Sequence, residues 1–175
     1  MNSSIVKSSI DKLDAEILGR LTVNARIGVA ELAAELGVSR NTVHIRMRRL
    51  EESGILRGFQ PIIDFAAVGM PIQALMSLEL DQRRLPGIIA GLREIPEVIE
   101  VKIQAGREDL LVHVAIASLE ALQELTATIV SLEGVNKTTS TFSVSTPIPY
   151  RVQPLLEQLT SDAGWGRSTP APGVG

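Results

Sequence analysis

Apolar residues recur along the first third of the chain with the period of an α-helix. Leu13, Ile17, Leu18 and Leu21 make one stripe, Leu32, Ala33 and Leu36 a second, and Val43, Met47 and Leu50 a third at i, i+4 and i+7. Asp11 and Asp14 suit the first turn of a helix that begins near Ile10. Gly37 separates the second stripe from the third and permits a tight turn, and Ser39 stands where it caps the following helix. Val29 to Gly54 therefore predicts a helix-turn-helix. Two short β-type runs around Gly58, within 55–64, predict a wing hairpin, so residues 10–64 read as a winged helix-turn-helix domain.

After a connector, 65–71, the period changes from 3.6 to 2. Ile72, Ala74, Met76, Leu78 and Leu80 share one face, with Gln73, Ser77 and Glu79 on the other, which predicts a strand. A helix from about Arg83 to Glu94 follows, with Leu85, Ile88, Ile89 and Leu92 apolar. A second strand then carries Ile99, Val101 and Ile103 and ends at Ala105-Gly106. The pattern then repeats: Leu110, Val112, Val114 and Ile116 echo the first strand, and Leu92 to Val98 lines up with Ile129 to Val135. Strand, helix, strand, twice over, is a ferredoxin-like βαββαβ domain spanning 72–146, and the whole chain is α+β. Helices cover one face of such a sheet. Its other face still carries Leu75, Leu111 and Ala115, so a second copy of the chain is expected to cover it.

The last strand is read as Val135 to Thr146. In the C-terminal extension, 147–175, Leu155, Leu156 and Leu159 suit one short helix after Pro154. Gly164 to Gly175 is small and Gly/Pro-rich, and the extension as a whole reads as largely disordered.

Composition narrows the chemistry. The 175 residues, 45% hydrophobic, suffice for two small cores, and no apolar run reaches membrane-spanning length, so a cytoplasmic protein with no membrane partner is expected. There is no cysteine, and His44 and His113 are the only histidines, which leaves neither thiolate catalysis nor a usual zinc ligand set; no metal and no cofactor are expected. The net charge of −3 is unevenly spread. Residues 1–58 hold nine basic and seven acidic side chains, the rest eight and thirteen, so the basic balance falls on the helix-turn-helix.

With Val43, Met47 and Leu50 turned inward, the third helix presents Asn41, Thr42, His44, Ile45, Arg48 and Arg49 outward, with Ser39 at its start and Arg40 and Arg46 on its flanks. Such a face suits the major groove, where Arg and Asn pair with base edges, other Arg side chains grip phosphates, and Ile45 packs on a thymine methyl. The competing reading is a solvated helix supported by Arg48–Glu51, Arg48–Glu52 and Arg49–Glu52 pairs. The agreement of turn, cap and basic face favours DNA. His113, on the third strand, reads as a packed or interface histidine.

Several short motifs join these elements: Ile10-Asp11-x-x-Asp14-x-x-Ile17-Leu18, Glu31-Leu32-Ala33 through Gly37-x-Ser39, Arg46-Met47-x-Arg49-Leu50-Glu51-x-x-Gly54-Ile55, Ile95-Pro96-x-Val98, and Gly106-x-x-Asp109. Together they resemble the Lrp/AsnC (feast/famine) transcriptional regulators over about Ile10 to Thr146. The resemblance implies a sequence-specific regulator that reads a roughly palindromic double-stranded operator. It also implies a homodimer formed through the sheet, octamers built from such dimers, and a small effector, usually an amino acid, bound near the loop between the second and third strands. Here that loop is Ala105-Gly106-Arg107-Glu108-Asp109. By itself it reads as a hairpin turn with solvated charges. For a ligand, Gly106 would open backbone N–H groups to a carboxylate, and Glu108 or Asp109 would meet an ammonium. Many members carry a hydroxyl residue where this chain has Ala105. Two alternatives accompany this reading: an enzyme resembling the haem-pathway decarboxylases of the same fold, and an effector-independent DNA-compacting protein.

Overall fold

Asp11 and Asp14 close a capping box at the start of α1 (Lys12–Val23): each carboxylate accepts the other's backbone N–H, at 3.1 and 3.0 Å. The computed structural model describes residues 10–166, which divide into two units, one holding 10–61 together with 148–166 and the other 62–147. In the first, α2 (Val29–Leu36) ends at Gly37, whose φ of 66° and ψ of 29° form the left-handed turn expected of it. Ser39 then caps α3 (Arg40–Glu52), its hydroxyl accepting the Thr42 N–H at 3.0 Å. The three predicted stripes meet in one core. Leu13, Ile17, Leu32, Val43 and Leu50 are fully buried there, and Met47 is half-buried against them.

The wing hairpin does not form. Residues 53–71 contain no strand; Phe59 and Ile63 are about half exposed and Ile62 fully so. Pro61 has no N–H for a ladder, and neither run has a partner strand to bury its alternate side chains, so two β-type patterns of this length lack what holds a hairpin together. The connector does contain a turn, in which Asp64 accepts the N–H groups of Ala66 and Ala67 at 3.0 and 3.3 Å, and Gly69 takes a φ of 88°.

The second unit is the expected βαββαβ. Its elements are β1 (Ile72–Leu80), a 3-10 turn (Gln82–Arg84), α4 (Leu85–Arg93), β2 (Val98–Ile103), β3 (Leu110–Ile116), α5 (Leu119–Val130) and β4 (Val135–Phe142). The sheet is antiparallel in the order β2-β3-β1-β4. Met76 and Leu78 of β1 share their face with Leu110 and Val112 of β3, and with Ile88, Leu92 and Ile129 of the helices they form the core. β4 ends at Phe142 rather than Thr146. Phe142 is opposite Ala74, and β1 begins only two residues earlier, after Pro71, so the sheet has little left to pair a longer strand.

The C-terminal extension is also more ordered than its composition suggests. The expected helix forms as α6 (Gln153–Leu159), and Leu156, Val152 and Trp165 pack into the helix-turn-helix core. The expectation for 167–175 lies outside the described residues.

Candidate nucleic-acid interface and effector loop

The Ser39 cap and the burial of Val43 and Leu50 determine which way α3 faces, and its basic side chains divide into two sets. Arg46 turns toward α1. Its Nη1 lies 2.5 Å from Asp11 Oδ2 and 3.1 Å from Asp14 Oδ1, and Arg49 Nη2 pairs with Asp14 Oδ2. Asp14 is completely buried, and the Arg46 side chain is only 13% exposed. Burial pushes the Asp14 carboxyl above its ordinary value, against the opposing pull of the Asp11 N–H and both guanidiniums. Burial also works against the Arg46 charge, but the Asp11 hydrogen bond and the Asp14 carboxylate outweigh it and hold that guanidinium above its ordinary value. The two directions are consistent, since Asp14 has lost all its solvent and Arg46 has kept some.

The other set faces solvent. Arg40, Asn41, His44, Ile45 and Arg48 are all exposed, Ile45 by 57%. Among the described residues Arg40 and Arg48 make no ion pair, and the Arg48–Glu51, Arg48–Glu52 and Arg49–Glu52 pairs of the competing reading do not occur. An exposed branched aliphatic one turn from the unpaired Arg48 suits contact with a thymine methyl beside phosphates. Ser39 and Thr42 spend their polar groups on the cap, their hydroxyls 2.8 Å apart.

Of the nine side chains expected at the interface, the structure thus brings Arg40, Asn41, His44, Ile45 and Arg48 together outward, commits Ser39 and Thr42 to the helix start, and draws Arg46 back to α1. Arg49 is shared, paired yet 48% exposed. The lock from α1 to α3 was missed in the sequence, although it had a signal: acids three apart at a capping box, and arginines three apart on a helix expected to pack nearby.

The loop between β2 and β3 has its own division. Asp109 closes its base. The carboxylate accepts the Leu80 N–H at 2.8 Å and a Gln82 amide N–H, its own N–H donates to Leu78 O at 2.8 Å, and its carbonyl accepts from Gln104 N at 2.9 Å. This carboxylate is already engaged, so it is not the free ammonium partner expected of it. Ala105, Gly106 and Arg107 are exposed and Glu108 is half-buried; no hydrogen bond or ion pair involves the Arg107 or Glu108 side chain among the described residues. Gly106 has an ordinary backbone conformation, and a Cβ there would meet no atom within 4 Å. Nothing in its own unit requires a glycine.

On the outer sheet face His113 Nε2 lies 3.1 Å from Gln73 Oε1, as befits a surface histidine with a polar neighbour. Leu75, 42% exposed, stands opposite it across the β1–β3 ladder, and Leu111 lies two residues away on its own strand, so the apolar face foreseen in the alternation is present.

Comparison with known proteins agrees with both halves. A family model of the AsnC-type helix-turn-helix domain matches residues 10–51, and one of the Lrp/AsnC ligand binding domain matches residues 73–153. The HTH-type transcriptional regulator AldR of Mycolicibacterium smegmatis is 39% identical over 118 residues, 66% of this chain and 69% of its own. The structure of AsnC from Escherichia coli superposes with a TM-score of 0.73 at 29% identity, covering 84% of this chain and all of that one. A transcriptional regulator of Neisseria meningitidis in complex with L-Met gives 0.74 at 25% identity, covering 83% and 96%. These relatives carry the names of transcriptional regulators. No helix among the described residues is long and apolar enough to cross a membrane.

Proposed function

Since the chain belongs to the Lrp/AsnC family of DNA-binding transcriptional regulators, we propose that α3 enters the major groove with Asn41, His44, Ile45 and Arg48 toward base edges, and with Arg40 and Arg49 toward phosphates. One observation carries this reading: among the described residues Arg40 and Arg48, which face out, pair with no acid, while Arg46, which faces in, is matched by two carboxylates and Arg49, half-exposed, by one. A protein that needed only a solvated helix would gain by pairing Arg48 with Glu51 or Glu52 at i, i+3 or i, i+4, about 0.2–0.5 kcal/mol each. Leaving them apart keeps cations available to a polyanion.

The chain acts as a homodimer through the sheet face that holds Leu75, Leu111 and His113, with octamers as the higher assembly. Two symmetric heads then read a roughly palindromic operator, with half-sites about one helical turn apart or a multiple of it. The effector is a small amino acid, supported by the L-Met complex of the neisserial regulator. It sits at Ala105 to Glu108, on the base that Asp109 closes: backbone N–H groups around Gly106 take its carboxylate and Glu108 its ammonium. A ligand shifts DNA binding only by its differential affinity for two assemblies, so a tenfold change in operator affinity needs about 1.4 kcal/mol of coupling.

Footprinting on the DNA upstream of the protein's own gene and its neighbours, with and without pooled amino acids, tests both parts. A discrete protected site that changes with amino acids is the expected result. Equal affinity for random and upstream DNA would replace the regulator by a compacting protein, and protection indifferent to every amino acid would remove the effector.

A further inference from the structure

We propose that residues 148–166 form a strap that positions α3 by sealing the contact between Arg46 and Asp11; the inference rests on α3 being the DNA-reading helix. Most of the strap lies beyond the matched ligand-binding model, which ends at residue 153.

Three contacts along α1 carry it. Gly19 is buried in the middle of α1, where glycine weakens a helix, and a Cβ there would collide with the side-chain amide of Gln153 at the start of α6. The bare Cα makes room for that amide. One turn further along, Leu156 is buried to 8% exposure, and Val152 and Trp165 pack on the core that also holds Leu13, Ile17 and Leu50. Finally the chain crosses the start of α1, where Lys12 N donates to Gly164 O at 3.3 Å. Gly166 follows with a φ of 111°; a Cβ there would collide with Arg46 Nη2 and lie 2.9 Å from Asp11 Oδ2. The backbone at Gly166 therefore rests on the ion pair itself and admits nothing larger.

The attraction within a covered ion pair is stronger than within a wet one, because the effective dielectric around it falls, and breaking the pair then leaves a charge without solvent. With the strap docked, Arg46 is committed to α1 and holds α3 in one orientation. The strap leaves the outward residues alone: Asn41, His44, Ile45 and Arg48 are exposed while it is in place. It is thus a positioning element rather than a block. Released, it would leave Arg46 free to reach any phosphate, which adds affinity for all DNA and none for the operator.

Full-length Gly166→Ala is the test, because it forces either the strap or Arg46 to move. Trp165 is the chain's only tryptophan, so its fluorescence reports docking. In Gly166→Ala its emission should shift to the red, the preference for operator over random DNA should fall about tenfold, and the slope of log affinity for random DNA against log salt should steepen by about one. A chain ending at Pro147, which has lost the tryptophan, should show the same loss of preference and the same steeper salt slope; if it does not fold, Gly166→Ala decides alone. Red-shifted emission with unchanged preference and slope would reduce the strap to a stabilising segment, and solvent-like emission in the wild type would show that it does not dock. Either overturns the proposal. A wild type with docked Trp165 and no preference for any DNA would instead overturn the DNA reading on which it rests.

Discussion

Arg46 Nη1 lies 3.1 Å from Asp14 Oδ1, across thirty-two positions of sequence, while Arg48, two residues further along the same helix, reaches no acid among the described residues. Arginines so close in sequence should therefore fail differently. Arg46→Ala leaves a fully buried carboxylate with one half-exposed partner and should cost about 3 kcal/mol of stability, measured by denaturant unfolding. A loss within about 0.5 kcal/mol, the usual range for a surface site, would mean that the lock is ornamental.

Arg48→Ala should leave stability unchanged. On the operator it should cost about 1–3 kcal/mol and relax preference at one base pair if Arg48 pairs with guanine, or weaken all DNA equally if it touches only phosphate. Quantitative gel shifts on matched and substituted sites separate the two, and unchanged binding to every DNA would take Arg48 out of the interface.

Asp14 also sets a pH dependence of unusual sign. Burial raises its folded pKa above the ordinary 3.8, so between the two values the folded state holds more protons than the unfolded one. Its contribution to stability is full below 3.8 and is lost as pH rises through the folded value, opposite to that of a carboxylate whose pKa is depressed. The stability of the wild type relative to Asp14→Asn should accordingly fall between acid and neutral pH. A difference that grows over that interval would show that the two arginines outweigh burial.

Leu75→Glu places a charge on the outer sheet face, beside His113 across the ladder. Light scattering should find the variant dissociating at micromolar concentrations at which the wild type is at least a dimer. A wild type that is monomeric there would place the dimer contact elsewhere or nowhere.

Gly106→Ala should be silent in the fold, since its Cβ meets nothing in its own unit. If an amino acid or a second dimer approaches that backbone, the added methyl should weaken the ligand response while leaving unliganded DNA binding intact. Calorimetric titration of both proteins with amino acids gives the comparison, and an identical response would return the loop to an ordinary hairpin. Asp109→Ala is the poorer probe, because it unfastens the loop from Leu80 and Gln82.

The elements were legible in the sequence wherever local signals agreed with burial. The stripes of α1, α2 and α3, the turn at Gly37, the Ser39 cap and the alternation of β1 and β3 each need only near neighbours to take effect, and the internal repeat carried the topology. Local pattern misled where long-range partners decide. The runs around Gly58 have strand composition, but a strand is stable only against another, and none lies beside them here; β4 stops at Phe142 because β1 is nearly used up, not because Ser143 to Thr146 change character. The division of the arginines is likewise tertiary. Arg46 and Arg48 look interchangeable along the chain, and only the packing of α1 against α3, with residues 148–166 folded over their junction, gives one a buried carboxylate and leaves the other in solvent. Burial of a charge demands a partner that proximity in sequence does not supply, so that choice could be made only when distant segments met.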